Sequence, residues 1–245
     1  MIRIRRDSEI YDTDGEWFQA RWHFSFDRYR DPNNDHFGAM RVFNDDRLIA
    51  GAAWPLHPHR DVEGITYVVE GSFGHEDDVG GAYGPLPAGS VQRMTLGSGA
   101  LHSEQNVSKT EPMRFIQIWI LPDTADLPPG VEQRVFTRED RTNRLLPIVG
   151  PEGDGVVKVH QQASVHVASL DAGTEVMHSI GDGRGVYVYL ISGAATFDDQ
   201  DVSTGDAAKV TNQPSLRIAA REPIELILVD VPMSFRPVGV WGGRV

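Results

Sequence analysis

Residues 51–71 read GAAWPLHPHRDVEGITYVVEG, and this stretch decides the fold. Its second half, ITYVVE, is a run of β-branched and aromatic residues closed by Gly71, the composition of a strand entering a tight turn. Ahead of it, His57 and His59 flank Pro58. Residues two apart project from the same face of a strand, so the two imidazoles point one way. Pro58 lacks a backbone donor and suits an edge or an irregular strand start. A second pair with the same spacing, His102 and Glu104, follows in PAGSVQRMTLGSGALHSEQN at 87–106. One such pair on each of two neighbouring strands can converge on a single point.

Imidazole nitrogens and a carboxylate oxygen suit first-row divalent metals, whereas an all-oxygen cage would indicate calcium or magnesium. Iron, nickel, manganese, cobalt, copper and zinc all remain open. Four protein donors on an octahedral ion leave two positions for water, substrate or dioxygen, while a closed structural zinc site leaves none. A lone strand histidine is more often a surface or hydrogen-bonded core residue. The conjunction of two pairs makes His57, His59, His102 and Glu104 the expected metal ligands.

Working outward, short β-branched and aromatic runs recur between Gly, Pro, Asn and Asp, and long amphipathic helical periodicity is absent. The expectation is an all-β chain. Strands are expected at 39–43, 47–54, 64–70, 72–76, 90–95 and 114–121, and again at 156–160, 164–170, 185–192, 194–197, 207–210, 215–219 and 224–231. Between the two series, PDTADLPPG and the charged stretch after it look like a connection between domains. The halves echo each other: ITYVVEGSFGHED with PLPAGSVQRMT parallels VYVYLISGAATFDD with STGDAAKVTNQ, as a duplicated β-barrel unit would. The metal site is not duplicated. His178 is followed two residues later by Ile180, and SLRIAA lacks any donor, so the second copy is expected to be metal-free, with His160 and His166 ordinary strand residues. GDGRG at 181–185 precedes a strand-like run and reads as a turn, and the acidic runs HEDD and FDDQD read as solvated hairpin tips.

The formal charge of -12 sets an average surface that repels phosphate backbones and anionic membranes, so neither nucleic acid nor membrane is an expected partner. With no cysteine there are no disulfides, thiolate ligands or cysteine nucleophiles. MIRIRRDSEI has no apolar stretch of a secretory signal, and the longest apolar run, 114–121, is too short for a membrane helix; a cytoplasmic monomer is the expectation. No phosphate loop, zinc-protease helix or nucleophile elbow is present.

These motifs resemble the cupin superfamily and, within it, the pirin family of bicupins. Gly51, five residues, His57-Pro58-His59, three residues and Glu63 match the first cupin motif. Pro87-x-Gly89, then His102 and Asn106, match the second, with a longer interval from Gly89 to His102 than the pattern has. A glutamate two residues after the second-motif histidine, here Glu104, is the substitution specific to pirins. GSGALHSE, RWHFSFDRYRDPN and FIQIWILP are further pirin-like segments, and the resemblance extends over about the whole chain. It implies two cupin (double-stranded β-helix, jelly-roll) barrels: an N-terminal metal-binding cupin at 1–135, a linker at 136–150, and a degenerate C-terminal cupin at 151–245. It further implies one metal, usually iron, on His57, His59, His102 and Glu104, with Glu63 behind them.

Some pirins resemble quercetinases, opening a flavonol with dioxygen and releasing carbon monoxide. On these residues the flavonol 3-hydroxyl would meet the open metal position and Glu104 would take its proton, making Glu104 the expected catalytic base. Trp54, Arg60, Glu63, Met94, Gln117 and Trp119 are the candidate pocket residues; Gln117 and Trp119 share one strand face, opposite Ile116, Ile118 and Ile120. Trp22, His23, Phe24 and Phe26 read as packing. Two other functions fit the motifs: a regulator whose metal redox state alters a protein-binding surface, and a cupin sugar isomerase that consumes no dioxygen.

Overall fold

A computed structural model describes residues 1–80 and 82–243; Gly81 and the last two residues of the expected C-terminal domain, Arg244 and Val245, lie outside the described residues. The chain is all-β: besides strands, the described residues form only three single-turn 3₁₀ segments. Among the described residues no helix is long and apolar enough to cross a membrane.

Two compact units are present. The first comprises Tyr11–Val135, Val157–Gln161 and the segment from Arg236 onward. Its larger antiparallel sheet runs Gly130–Val135, Ser90–Thr95, Glu63–Glu70, Met113–Ile120, Met40–Leu48, Phe18–Trp22, Tyr11–Asp14. Its smaller sheet runs His57–His59, Ala100–Asn106, Ser72–Asp77, Ala82–Pro87. Leu48, Val68, Met113 and Phe115 of the first sheet pack against Phe73 and Leu86 of the second, so the core lies between the two layers. The second unit, Met1–Ile10, Phe136–Val156 and Gln162–Phe235, repeats this plan. Its strands alternate cleanly: in Ser215–Ala220 every second residue is buried, and Leu216, Ile218 and Ala220 join Val186, Val188, Phe197 and Leu228 in one apolar cluster.

The compact units change over between Val135 and Phe136, but neither is continuous in sequence. Ile2–Arg5 pairs with Ala207–Thr211 in the second unit, and 157–161 belongs to the first. The expected linker also contains structure, because Leu146–Gly150 pairs with Ser164–Leu170. Charged and proline residues on exposed positions hide the period-two pattern there. One long strand, Met40–Leu48, replaces the two expected at 39–43 and 47–54; it stops before Gly51, whose φ of +71° turns the chain.

The duplication is visible in two glycines. Gly71 joins Glu63–Glu70 to Ser72–Asp77 with φ +82°, and Gly193 joins Arg184–Ser192 to Ala194–Phe197 with φ +93°. A Cβ at Gly71 would meet the Pro112 carbonyl, and one at Gly193 would meet that of Pro223. Gly71→Ala and Gly193→Ala should each cost about 1–3 kcal/mol in urea unfolding, from the left-handed backbone alone. Gly130→Ala, with open space around its Cβ position, should stay within about 0.5 kcal/mol.

Candidate metal centre

The His57–His59 strand pairs antiparallel with Ala100–Asn106, which sets His102 opposite His57 and Ala100 opposite His59. Alternation then turns His57, His59, His102 and Glu104 toward the space between the sheets. The ring centroids of His57, His59 and His102 are 4.5–5.2 Å apart, and one nitrogen from each ring falls within 4.8 Å of the others. Glu104 Oε1 lies 3.5 Å from His102 Nδ1.

Each donor is prepared by its surroundings. His57 Nδ1 is 2.8 Å from the Pro55 carbonyl, which only accepts, so Nδ1 donates to it and Nε2 is the nitrogen left to meet a ligand. Burial pushes His59 and His102 down to about 3, and neighbouring imidazoles add to it: His102 and His57 for His59, His57 and His75 for His102. Both rings are neutral at pH 7, the form that ligates metal. His102 Nε2 is buried without a hydrogen-bond partner. A buried lone pair left unsatisfied is costly, and a cation would satisfy it. Burial also raises the Glu104 carboxyl above its usual range, against the opposing pull of His57 and His75. Three imidazole nitrogens and a buried carboxyl thus fit a first-row divalent cation.

His75 stands behind this group, its ring centroid 5.7 Å from that of His102. Gln92 Nε2 donates to His75 Nδ1 at 3.0 Å, and His75 Nε2 donates to Asp77 Oδ2 at 3.0 Å. His75 and Asp77 are buried, so HEDD is not a solvated hairpin tip at these two residues. Their alternation with Gly74 and Glu76 on Ser72–Asp77, beside the Ala100–Asn106 strand, is the signal that could have found them.

A cavity of about 290 Å³ opens against His57, His59 and Glu104. Trp22, Phe26, Trp54, Phe115 and Trp119 give it aromatic walls, and Asn44, Asp46 and Gln117 a polar one. Of the expected pocket residues, Trp54, Gln117 and Trp119 line it; the Gln117–Trp119 face turns inward and the isoleucine face away. Trp22 and Phe26, expected as packing, are also lining residues. Arg60, Glu63 and Met94 are elsewhere. Arg60 is half exposed and pairs with Asp126. Glu63 is fully buried and accepts from Thr95 Oγ1 at 2.9 Å and from the His160 backbone at 2.6 Å, tying 157–161 to the barrel. Met94 is enclosed in the core. Sequence reasoning missed Asn44 and Asp46. Burial raises Asp46 well above the usual carboxylate range, with Asp45 and Glu104 adding to it. Gln117 Oε1 accepts from Thr66 Oγ1 at 2.7 Å, which fixes the amide.

In the second unit, His178 faces Leu216 where His57 faces His102. His178 Nε2 is 2.7 Å from Asp230 Oδ2, and Arg184 Nε donates to Asp230 Oδ1 at 2.6 Å, so a guanidinium holds the carboxylate there. His166, also in that unit, lies on the Ser164–Leu170 strand, whereas His160 follows the end of the short Val157–Lys158 strand.

Two β-barrel units, the first with a converging histidine set, define a bicupin. Comparison with known proteins refines this. Residues 4–120 match the family described as Pirin, and 147–231 match the quercetinase C-terminal cupin domain. The chain is 36% identical over 234 residues to quercetin 2,3-dioxygenase of Escherichia coli K12, covering 95% of this chain and 99% of that one. It is 35% identical over 232 residues to a pirin-like protein of Caulobacter vibrioides, covering 94% and 99%. The bacterial pirin YhhW of Escherichia coli, whose crystal structure is a complex with nickel(II), superposes with a TM-score of 0.89 at 35% identity over 97% of this chain and all of that one. This chain belongs to the pirin family.

Proposed function

We propose that the protein is a metal-dependent dioxygenase of the quercetin 2,3-dioxygenase type, cleaving a flavonol or related phenolic with O2. The observation that carries this reading is the juxtaposition of three clustered imidazoles and a buried carboxyl with an aromatic-walled cavity. The relative named quercetin 2,3-dioxygenase supports it. His57, His59, His102 and Glu104 would hold one divalent metal, with iron the first expectation; the nickel(II) complex of the related bacterial pirin supports a first-row ion more broadly. When bound, the metal would supply Lewis acidity toward a substrate hydroxyl and a redox-capable centre for dioxygen chemistry.

The chain's own residues supply the rest. Trp54, Trp119 and Phe115 offer flat faces on which a planar aromatic substrate packs with its reacting carbon toward the histidines. Their bulk keeps water from the reacting face. Glu104, at the head of the cavity, takes the proton of the flavonol 3-hydroxyl at its carboxylate. The Pro55 carbonyl holds the His57 ring in the orientation that presents Nε2. Protein loaded with iron(II) or nickel(II) and given quercetin should consume O2 and release carbon monoxide in equal amounts. An absence of carbon monoxide with every first-row metal tried would remove the reading.

A further inference from the structure

The wall facing the histidines lies outside the proposed ligand set, yet it is polar. Asn44 and Asp46 project from one face of Met40–Leu48, in the sheet opposite the one that carries His57, His102 and Glu104. Both line the cavity, at 2% and 5% exposure. Asn44 Oδ1 is buried with no hydrogen-bond partner among the described residues. A buried amide oxygen without a partner is uncommon because its desolvation is not offset, and it points to a group that arrives from outside. Gln117, directly across the strand pair from Asn44, has its own oxygen engaged by Thr66 and cannot turn to satisfy it.

From this arrangement we infer that Asn44 and Asp46 bind a phenolic hydroxyl of the substrate remote from its reacting carbon, selecting polyhydroxylated flavonols over those that carry the 3-hydroxyl alone. The inference rests on the flavonol reading and deepens it. A hydroxyl both donates and accepts, so it can satisfy an amide oxygen and a carboxyl together. A site built around such groups discriminates strongly against an analogue that lacks the hydroxyl, because the protein atoms are then buried unpaired. The aromatic walls set a substrate's plane without reading its substituents. The polar wall reads them.

Binding of quercetin and of 3-hydroxyflavone to nickel(II)-loaded protein, measured without oxygen by quenching of the cavity tryptophans, tests this. The wild type should bind quercetin about tenfold more tightly, the scale of one or two hydrogen bonds. Asn44→Leu and Asp46→Leu should each weaken quercetin binding about tenfold. Neither should change 3-hydroxyflavone binding by more than about twofold, and metal content should be unaltered. Asn44→Leu should also melt no lower than the wild type, since it replaces an unsatisfied polar atom with an apolar one. Equal binding of the two ligands by the wild type overturns the inference without any variant, and so does an equal loss of both ligands in the variants. If neither ligand binds the loaded wild type, the flavonol reading itself fails and takes this inference with it.

Discussion

His102→Ala should abolish stabilisation by metal while leaving the apoprotein folded. Among the three imidazoles His102 is the most buried, at 3% exposure, and its Nε2 has no hydrogen-bond partner. In the apoprotein that orphan costs about 1–3 kcal/mol, which truncation to alanine relieves while opening a small cavity. The two effects oppose, so apoprotein stability should change little. Metal affinity should respond very differently. Loss of a partner outside the ligand shell already costs about 10–100-fold in affinity, and removal of a ligand should exceed that. Linkage converts this into a melting experiment: metal at about 100 times its Kd stabilises by about 2.7 kcal/mol, and a thousandfold weaker site under the same conditions gains almost nothing. Wild type with excess nickel(II) should therefore melt several degrees above its apo form, and His102→Ala should not. His59→Ala should likewise emerge from gel filtration nearly free of metal with its strands intact. Full metal content in either variant would take that histidine out of the ligand set.

The convergence of His57, His59 and His102 was legible because it depends on one-dimensional spacing. Alternation along a strand forces His57 with His59, and His102 with Glu104, onto common faces, and the antiparallel register that sets His102 opposite His57 does the rest. The opposing wall was not legible. Asn, Asp and Asp in succession read as turn residues, since all are depleted in strands. They stay extended at 44–46 only because Phe18–Trp22 on one side and Met113–Ile120 on the other complete their backbone hydrogen bonds. The same blindness to pairing turned His75 and Asp77 into a supposed solvent-facing tip. Met94 shows the converse: an apolar residue on a site-adjacent strand has no signature that separates core from cavity. Glu63 was recognised as part of a motif, but its partner, the backbone of His160, lies 97 residues away and no local pattern announces it.

Arg114→Met should cost about 3–5 kcal/mol, the scale expected when one member of a buried ion pair is removed. Arg114 Nε and Nη2 donate to the two oxygens of Asp45 at 2.9 and 2.6 Å, a bidentate pair in which neither side chain is more than a tenth exposed. The next residue, Asp46, turns the other way, toward the cavity. Two adjacent buried carboxyls on one strand are tolerable because Arg114 pairs with Asp45, while burial raises Asp46 well above the usual carboxylate range. Removing the guanidinium takes a bidentate partner from a buried carboxylate, which opposes folding. Adding Asp45→Asn removes that charge, so the double variant Asp45→Asn/Arg114→Met should recover more than half of the loss in urea unfolding. A loss below about 1 kcal/mol for Arg114→Met, or no recovery in the double variant, would show that this pair does not hold the strand. The recovery has a functional readout as well. If the pair fixes the strand that carries Asn44 and Asp46, discrimination between quercetin and 3-hydroxyflavone should fall in Arg114→Met and return with stability in the double variant.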